Sequence, residues 1–295
     1  MKTLKELLGT RRLLISDGAF GTELARLGLP PGQCAEKWNA DHPAEVRAVC
    51  SGYVAAGSDI ILTNTFGGSP LKLAKSGLDR ETHELNRAGA ALAKEAAAGK
   101  ALVFGSIGPT GEFMEPLGTM GEEQMVECFA RQVKGLVAGG VDGFVIETFS
   151  DIAEARAVLR AIGENSDAPA VVSFTFAGGP GGYATMMGVR PGAFAEAFEA
   201  AGAAMVGSNC GTGIGDMIEI AKQLRTATRL PLWIKPNAGL PELVGGKTVF
   251  HETPAQMAGR LSELVAAGAA VVGGCCGTTP EHVRQLAAER RRLGL

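Results

Sequence analysis

Eight short apolar, β-branched runs, each followed by a polar or glycine-rich turn and a longer stretch of helical periodicity, restrict the fold of this 295-residue chain more than any other feature. They are Leu13 to Ser16, Asp59 to Thr63, Ala101 to Gly105, Gly143 to Glu147, Ala170 to Phe174, Ala204 to Ser208, Leu232 to Lys235 and Ala269 to Gly273. Between them, segments such as PAEVRAVCSGYVAAG and EEQMVECFARQVKGLVAGG return an apolar residue every three or four positions and close on glycine, which suits a helix C-cap. The same ending, alanine-rich helix, glycine, next strand, recurs as VAAGSD at 54, VAGGVD at 137, EAAGAA at 199 and VAAGAA at 265, at unequal spacings that exclude a solenoid. Eight βα units match a closed (β/α)8 barrel of the TIM type better than an open doubly wound sheet, which has fewer strands and a glycine fingerprint after the first. No proline- or serine-rich linker divides the chain, and Leu71 to Gly99 reads as helix plus connection inside the second unit, so residues 1–295 are expected to form one barrel domain.

Composition restricts the partners. With 28 basic against 31 acidic side chains the formal charge is −3, and no bulk field draws the chain to nucleic acid or to an anionic membrane. Hydrophobic residues at 46% supply a large core. The 42 glycines show no three-residue period, which excludes collagen and implies many tight turns. The N-terminal MKTLKELLGTRRLLISDG lacks the apolar stretch of a signal peptide, and no run of about 18 apolar residues marks a membrane span, so a soluble cytoplasmic protein is expected. Six cysteines are too few and too unevenly placed for a disulfide scaffold, which leaves thiol or metal chemistry.

A βα barrel assembles its active site where strands end and βα loops begin. Those positions are unusually polar here: Asp17-Gly18-Ala19-Phe20-Gly21-Thr22, Thr63-Asn64-Thr65-Phe66, Ser106 to Gly111, Glu147-Thr148, Ser173 with Thr175, Ser208-Asn209-Cys210-Gly211, Pro236-Asn237-Ala238-Gly239 and Gly274-Cys275-Cys276-Gly277-Thr278. Three thiolates leave one tetrahedral zinc position open for a substrate, and Cys210, Cys275 and Cys276 suit such a site. Adjacent cysteines in an extended strand point to opposite faces, but Gly273, Gly274 and Gly277 let the backbone bend so that both sulfurs reach one metal. The plainer alternative is that all three fill the core as small hydrophobes. That reading wins for Cys50 and Cys128, which sit inside helical patterns, and Cys34 lies in an early loop. His42, His83, His251 and His282 fall at helix starts or surface-like positions without HxH or HExxH spacing and receive no role. GSIGPTGE lacks a P-loop lysine and GTGIGDM is a weak glycine match, so both read as tight loops.

Asp17 and Glu147 are carboxylates in an apolar barrel mouth, where each needs a cation or several donors. A ligand's ammonium group would answer both; alternatively Asp17 caps the turn through Gly18 and Glu147 bonds neighbouring amides. The amides of Phe20, Gly21 and Thr22, opening a helix, would take a carboxylate, and together these groups would hold an α-amino acid.

The segments DGAFGTEL at 17, LTNTFGG at 62, GSIGPTGE at 105, ETFSD at 147, SNCG at 208, KPNAG at 235 and GGCCGTTPEHV at 273 closely resemble the homocysteine S-methyltransferase family over nearly the whole chain, and in particular the N-terminal homocysteine-binding module of cobalamin-dependent methionine synthase. The resemblance implies a βα barrel, zinc on Cys210, Cys275 and Cys276, and homocysteine gripped at its amino acid end by Asp17, Glu147 and the turn Gly18, Phe20, Gly21, Thr22, with Asn209 and Asn237 as further substrate contacts. It also implies methionine formation with methyl from a separate methylcorrinoid carrier, since the chain ends at Leu295 without cobalamin- or folate-binding modules. S-methylmethionine or betaine as donor, another small thiol as acceptor, and a non-catalytic zinc-binding subunit of a corrinoid protein stand as alternatives. The loop GTGIGDM and Lys235 before PNAG depart from the family's usual pattern.

Overall fold

The computed structural model of the chain describes residues 3–245 and 247–295. Its eight parallel strands are Leu14–Ile15, Ile60–Leu62, Leu102–Ile107, Gly143–Phe149, Ala170–Phe174, Met205–Asn209, Leu232–Lys235 and Ala269–Val272, one from each of the eight apolar runs. Each pairs with its neighbour in chain order, the eighth returns to the first through Leu14 opposite Val271, and a parallel bridge from Ser16 to Ile60 brings the first beside the second. The sheet therefore closes into a barrel.

Period-two alternation sorts every strand into an inner and an outer face. Leu14, Leu62, Phe104, Val145, Val171, Trp233 and Val271 form an inner cluster, and Leu4 of the N-terminal helix Leu4–Thr10 joins it from below. Two residues further along their strands the same inner face carries Ser16, Ser106, Glu147, Ser173 and Lys235, all buried. The barrel is thus a packed apolar plug under a polar layer, and that layer faces the loops after the strands. The outer face, with Ile15, Ile61, Val103, Ile146, Val172, Val206 and Ile234, packs against the helices in the main core.

The helices stop where the repeated ending places glycine. Gly57, Gly140, Gly202 and Gly268 all have left-handed backbone, with φ of 104°, 84°, 82° and 98°, a conformation that side-chain-bearing residues rarely adopt. Starts are equally local: Ser69, Thr253 and Thr279 each cap a helix whose next residue is proline, and Asp151 caps Ile152–Asn165. Two short antiparallel hairpins, Ala177–Gly179 with Gly182–Ala184 and Glu242–Val244 with Lys247–Val249, follow the fifth and seventh barrel strands. The apolar pattern does not announce them because they lie outside the core, glycine-rich in the first case. No described helix is long and apolar enough to cross a membrane.

Candidate metal and substrate site

Cys210 follows the sixth strand, and Cys275 and Cys276 follow the eighth; their three sulfurs lie within 4.8 Å of one another. Cys210 Sγ and Cys276 Sγ are 3.8 Å apart. Tetrahedral zinc with Zn–S bonds of about 2.3 Å separates two sulfur ligands by about 3.8 Å, so the spacing fits a shared metal. All three side chains are only partly buried, so the site opens toward the loops. Hydrogen bonds from the Cys275 and Cys276 thiols push Cys210 down to about 3, while those same hydrogen bonds, with burial, raise Cys275 and Cys276. One thiolate is stabilised at the expense of the other two, and a cation bound at all three sulfurs would remove that conflict.

The loops are held by backbone. Cys210 donates its N–H to Lys235 O at 3.1 Å, Cys275 to Pro236 O at 2.7 Å, and Ala238 to Cys276 O at 3.0 Å, which ties the ends of the sixth, seventh and eighth strands together. Cys210 itself has φ of 61°, and so does a second non-glycine residue of this rim, Thr148, at 66°. At Gly277 φ is 80° and a Cβ would fall 2.2 Å from Phe250 Cγ, so the turn that brings Cys276 back to the mouth accepts no side chain.

Asn209 joins the thiols to the carboxylate. Its Oδ1 accepts the Thr148 N–H at 3.0 Å and the Ser173 hydroxyl at 2.7 Å; its Nδ2 donates to Thr148 Oγ1 at 2.7 Å and reaches Cys275 Sγ at 3.8 Å. Asn237 favours the Cys210 thiolate, while its own Oδ1 is buried with no hydrogen-bond partner among the described residues. The two asparagines expected as substrate contacts therefore also serve the sulfurs.

Glu147 lies beside Thr148, its Oε1 accepting the Ser106 hydroxyl at 2.5 Å. Burial raises its pKa against the pull of Lys235. Asp17 Oδ2 accepts the Leu62 N–H at 2.7 Å, and Oδ1 accepts from Lys235 Nζ at 2.6 Å and Ser16 Oγ at 3.1 Å. Asp17 thus meets a cation of the chain itself, Lys235. Lys235 received no role from sequence; the signal was the alternation Trp233, Ile234, Lys235, which places it on the inner face above Trp233, whose ring lies 5.9 Å from Nζ.

Helix Phe20–Arg26 begins at the expected turn, and the first-turn amides of Phe20, Gly21 and Thr22 have no intrahelical acceptor. The Ala19 N–H before them bonds Thr278 Oγ1 at 3.1 Å, which joins this turn to the cysteine loop. At Gly18 a Cβ would stand 2.7 Å from Tyr53 Oη and 2.8 Å from Thr278 Oγ1, so glycine is required by close approach. Cys50 and Cys128 are buried in the core and Cys34 lies apart, on a half-buried loop. His282 stands at a helix start, that of Pro280–Arg292, and is buried there, where its ring accepts the Thr279 N–H at 3.1 Å and meets Glu252 O at 3.1 Å.

A parallel βα barrel with three clustered thiols and a carboxylate at its C-terminal mouth defines a class of protein equipped to hold one metal beside a small polar ligand. The homocysteine S-methyltransferase family model matches residues 14–290, and the chain belongs to that family of enzymes. It is 31% identical to methionine synthase of Mycobacterium tuberculosis over 95% of its own length and to that of Mycobacterium leprae over 94%. It spans about a quarter of the length of those relatives. The metallated form of the homocysteine methyltransferase MmuM from Escherichia coli superposes with a TM-score of 0.82 at 25% identity, covering 97% of this chain and 99% of that one.

Proposed function

We propose that residues 1–295 act as one unit, a zinc-dependent homocysteine S-methyltransferase that forms methionine with methyl supplied by a separate methylcorrinoid carrier. The observation that carries this reading is the single side chain of Asn209, which touches both Cys275 and the backbone of Thr148 beside Glu147, so metal site and ammonium acceptor share one mouth. Cys210, Cys275 and Cys276 would hold zinc, which when bound favours the thiolate form of the incoming thiol. Glu147 would bind the α-ammonium, and the amides of Phe20, Gly21 and Thr22 the α-carboxylate. Asn209 directs an N–H donor at Cys275 Sγ, and Asn237 favours the thiolate of Cys210. Around the same mouth, Phe66, Phe113, Leu117, Met186, Leu240 and Leu243 stand exposed on loops after the second, third, fifth and seventh strands, an apolar rim suited to a protein that brings the methyl group.

Zinc content, with methionine formation from homocysteine offered methylcobalamin, S-methylmethionine or betaine, tests the reading. Cys210→Ser and Cys275→Ser are expected to lose zinc and activity together, and full turnover in a metal-free variant would refute it. A second reading, a small-molecule donor such as S-methylmethionine or betaine, is favoured by the end-to-end match with MmuM, and turnover with such a donor alone would select it. Zinc without turnover on any donor would favour a non-catalytic subunit or another thiol acceptor.

A further inference from the structure

One buried charge has no task in the reaction above. Lys235 ends the seventh strand with its side chain 2% exposed, and its partner Asp17 is 1% exposed. Both Asp17 oxygens are already engaged: Oδ1 by Lys235 Nζ at 2.6 Å and Ser16 Oγ at 3.1 Å, Oδ2 by the Leu62 N–H at 2.7 Å. A ligand ammonium could bind Asp17 only by displacing an ion pair sealed from water, which would leave Lys235 buried and uncompensated. Glu147 differs. Its Oε1 accepts the Ser106 hydroxyl, and Oε2 has no donor among the described residues. Formal charges of −1 on Asp17, +1 on Lys235 and −1 on Glu147 leave one negative charge, and it belongs to Glu147.

We infer that Lys235 is a specificity-determining positioning residue: it sequesters Asp17, so that the pocket recognises a thiol bearing one α-ammonium through Glu147 alone. This rests on the reading that the site takes homocysteine, and it assigns the two acidic residues different work. Without Lys235 the Asp17 carboxylate would stand beside the mouth with no cation from the chain to hold it. With it Asp17 becomes part of the barrel wall, latched to the second strand, and Glu147 remains the acceptor. A thiol without an ammonium leaves Glu147 unpaired on binding, which penalises the wrong ligand more than added contacts reward the right one.

Calorimetric binding of homocysteine and N-acetylhomocysteine to the zinc-loaded protein, without any methyl donor, tests this. Wild type is expected to prefer homocysteine by about 30-fold or more, and Glu147→Gln to abolish the preference. Asp17→Asn frees the Lys235 cation to repel the ligand or take Glu147, and is expected to weaken homocysteine about 30-fold. Asp17→Asn combined with Lys235→Met removes the pair as a neutral unit and is expected to recover affinity to within about threefold of wild type. A double variant as weak as Asp17→Asn, with wild-type zinc content and melting temperature, would show that Asp17 itself binds the ammonium and overturn the inference. Should Asp17→Asn not fold, Lys235→Arg, which keeps the charge, must retain the preference; its loss would overturn the inference equally. Homocysteine binding without methyl transfer to any donor would refute the proposed reaction and leave the inference standing, whereas a wild type that binds neither thiol would refute both.

Discussion

Asn209 uses both ends of its carboxamide inside the protein, and its position explains how a rim built from loops is made rigid. Thr148 is β-branched with φ of 66°, a conformation that persists only where its surroundings hold it, and Asn209 bonds both its N–H and its hydroxyl. The same Nδ2 reaches Cys275 Sγ. Asn209→Ala is therefore expected to lower zinc affinity about 10- to 100-fold without removing a sulfur, a loss read by competition with a chromogenic chelator. The site's chemistry was legible in residue types: cysteines flanked by glycines at strand ends point to a metal, and acids in an apolar mouth point to charge partners. The partner of Asp17 was not legible. Lys235 lies 218 positions away in the chain, and only closure of the barrel sets Nζ 2.6 Å from Oδ1.

The elements around the site are started and stopped by a few residues each. Helix Pro280–Arg292 follows the cysteine loop directly, capped by Thr279, whose hydroxyl accepts the Glu281 N–H at 3.2 Å, and by the His282 ring, which accepts the Thr279 N–H. Thr279→Ala is expected to lower unfolding free energy by about 1 kcal/mol, measured by urea denaturation. The pH dependence has a definite sign. Burial lowers the pKa of His282, and its Nδ1 must stay unprotonated to accept from Thr279, so the neutral ring is the form the fold favours. Its stabilisation is complete above the ordinary histidine value of about 6.5 and is lost as pH falls through the lower folded-state value. Wild type should accordingly lose more melting temperature between roughly pH 7.5 and 5.5 than His282→Gln, which keeps an acceptor but cannot take a proton. The capping glycines and proline starts were readable in sequence because caps are local. The burial of His282 was not, because it depends on Glu252 arriving from the preceding βα unit to meet its ring at 3.1 Å.

At the scale of the whole molecule, the barrel divides into an apolar plug and a polar mouth, and Trp233 sits at the division. Its ring is fully buried, lies 6.3 Å from the Phe104 ring at 7° and supports Lys235 above it. Trp233→Ala is expected to destabilise the protein by about 3–5 kcal/mol, read by thermal or urea unfolding, since a large cavity opens where no neighbour can collapse fully. The eightfold recurrence of strand and helix patterns determined the barrel, because period two, period 3.6 and glycine stops are properties of adjacent residues that survive any tertiary arrangement. Residue chemistry at the strand ends determined which face carries the thiols and acids, because parallel strands all finish at one end. Tertiary structure alone decided that three sulfurs from two loops approach within 4.8 Å, that Asn209 spans Cys275 and the Thr148 backbone beside Glu147, and that Asp17 is paired with Lys235 while one Glu147 oxygen has no donor among the described residues. Those contacts join residues tens to hundreds of positions apart, and the Asp17–Lys235 pair in particular exists only once the eighth strand returns to the first.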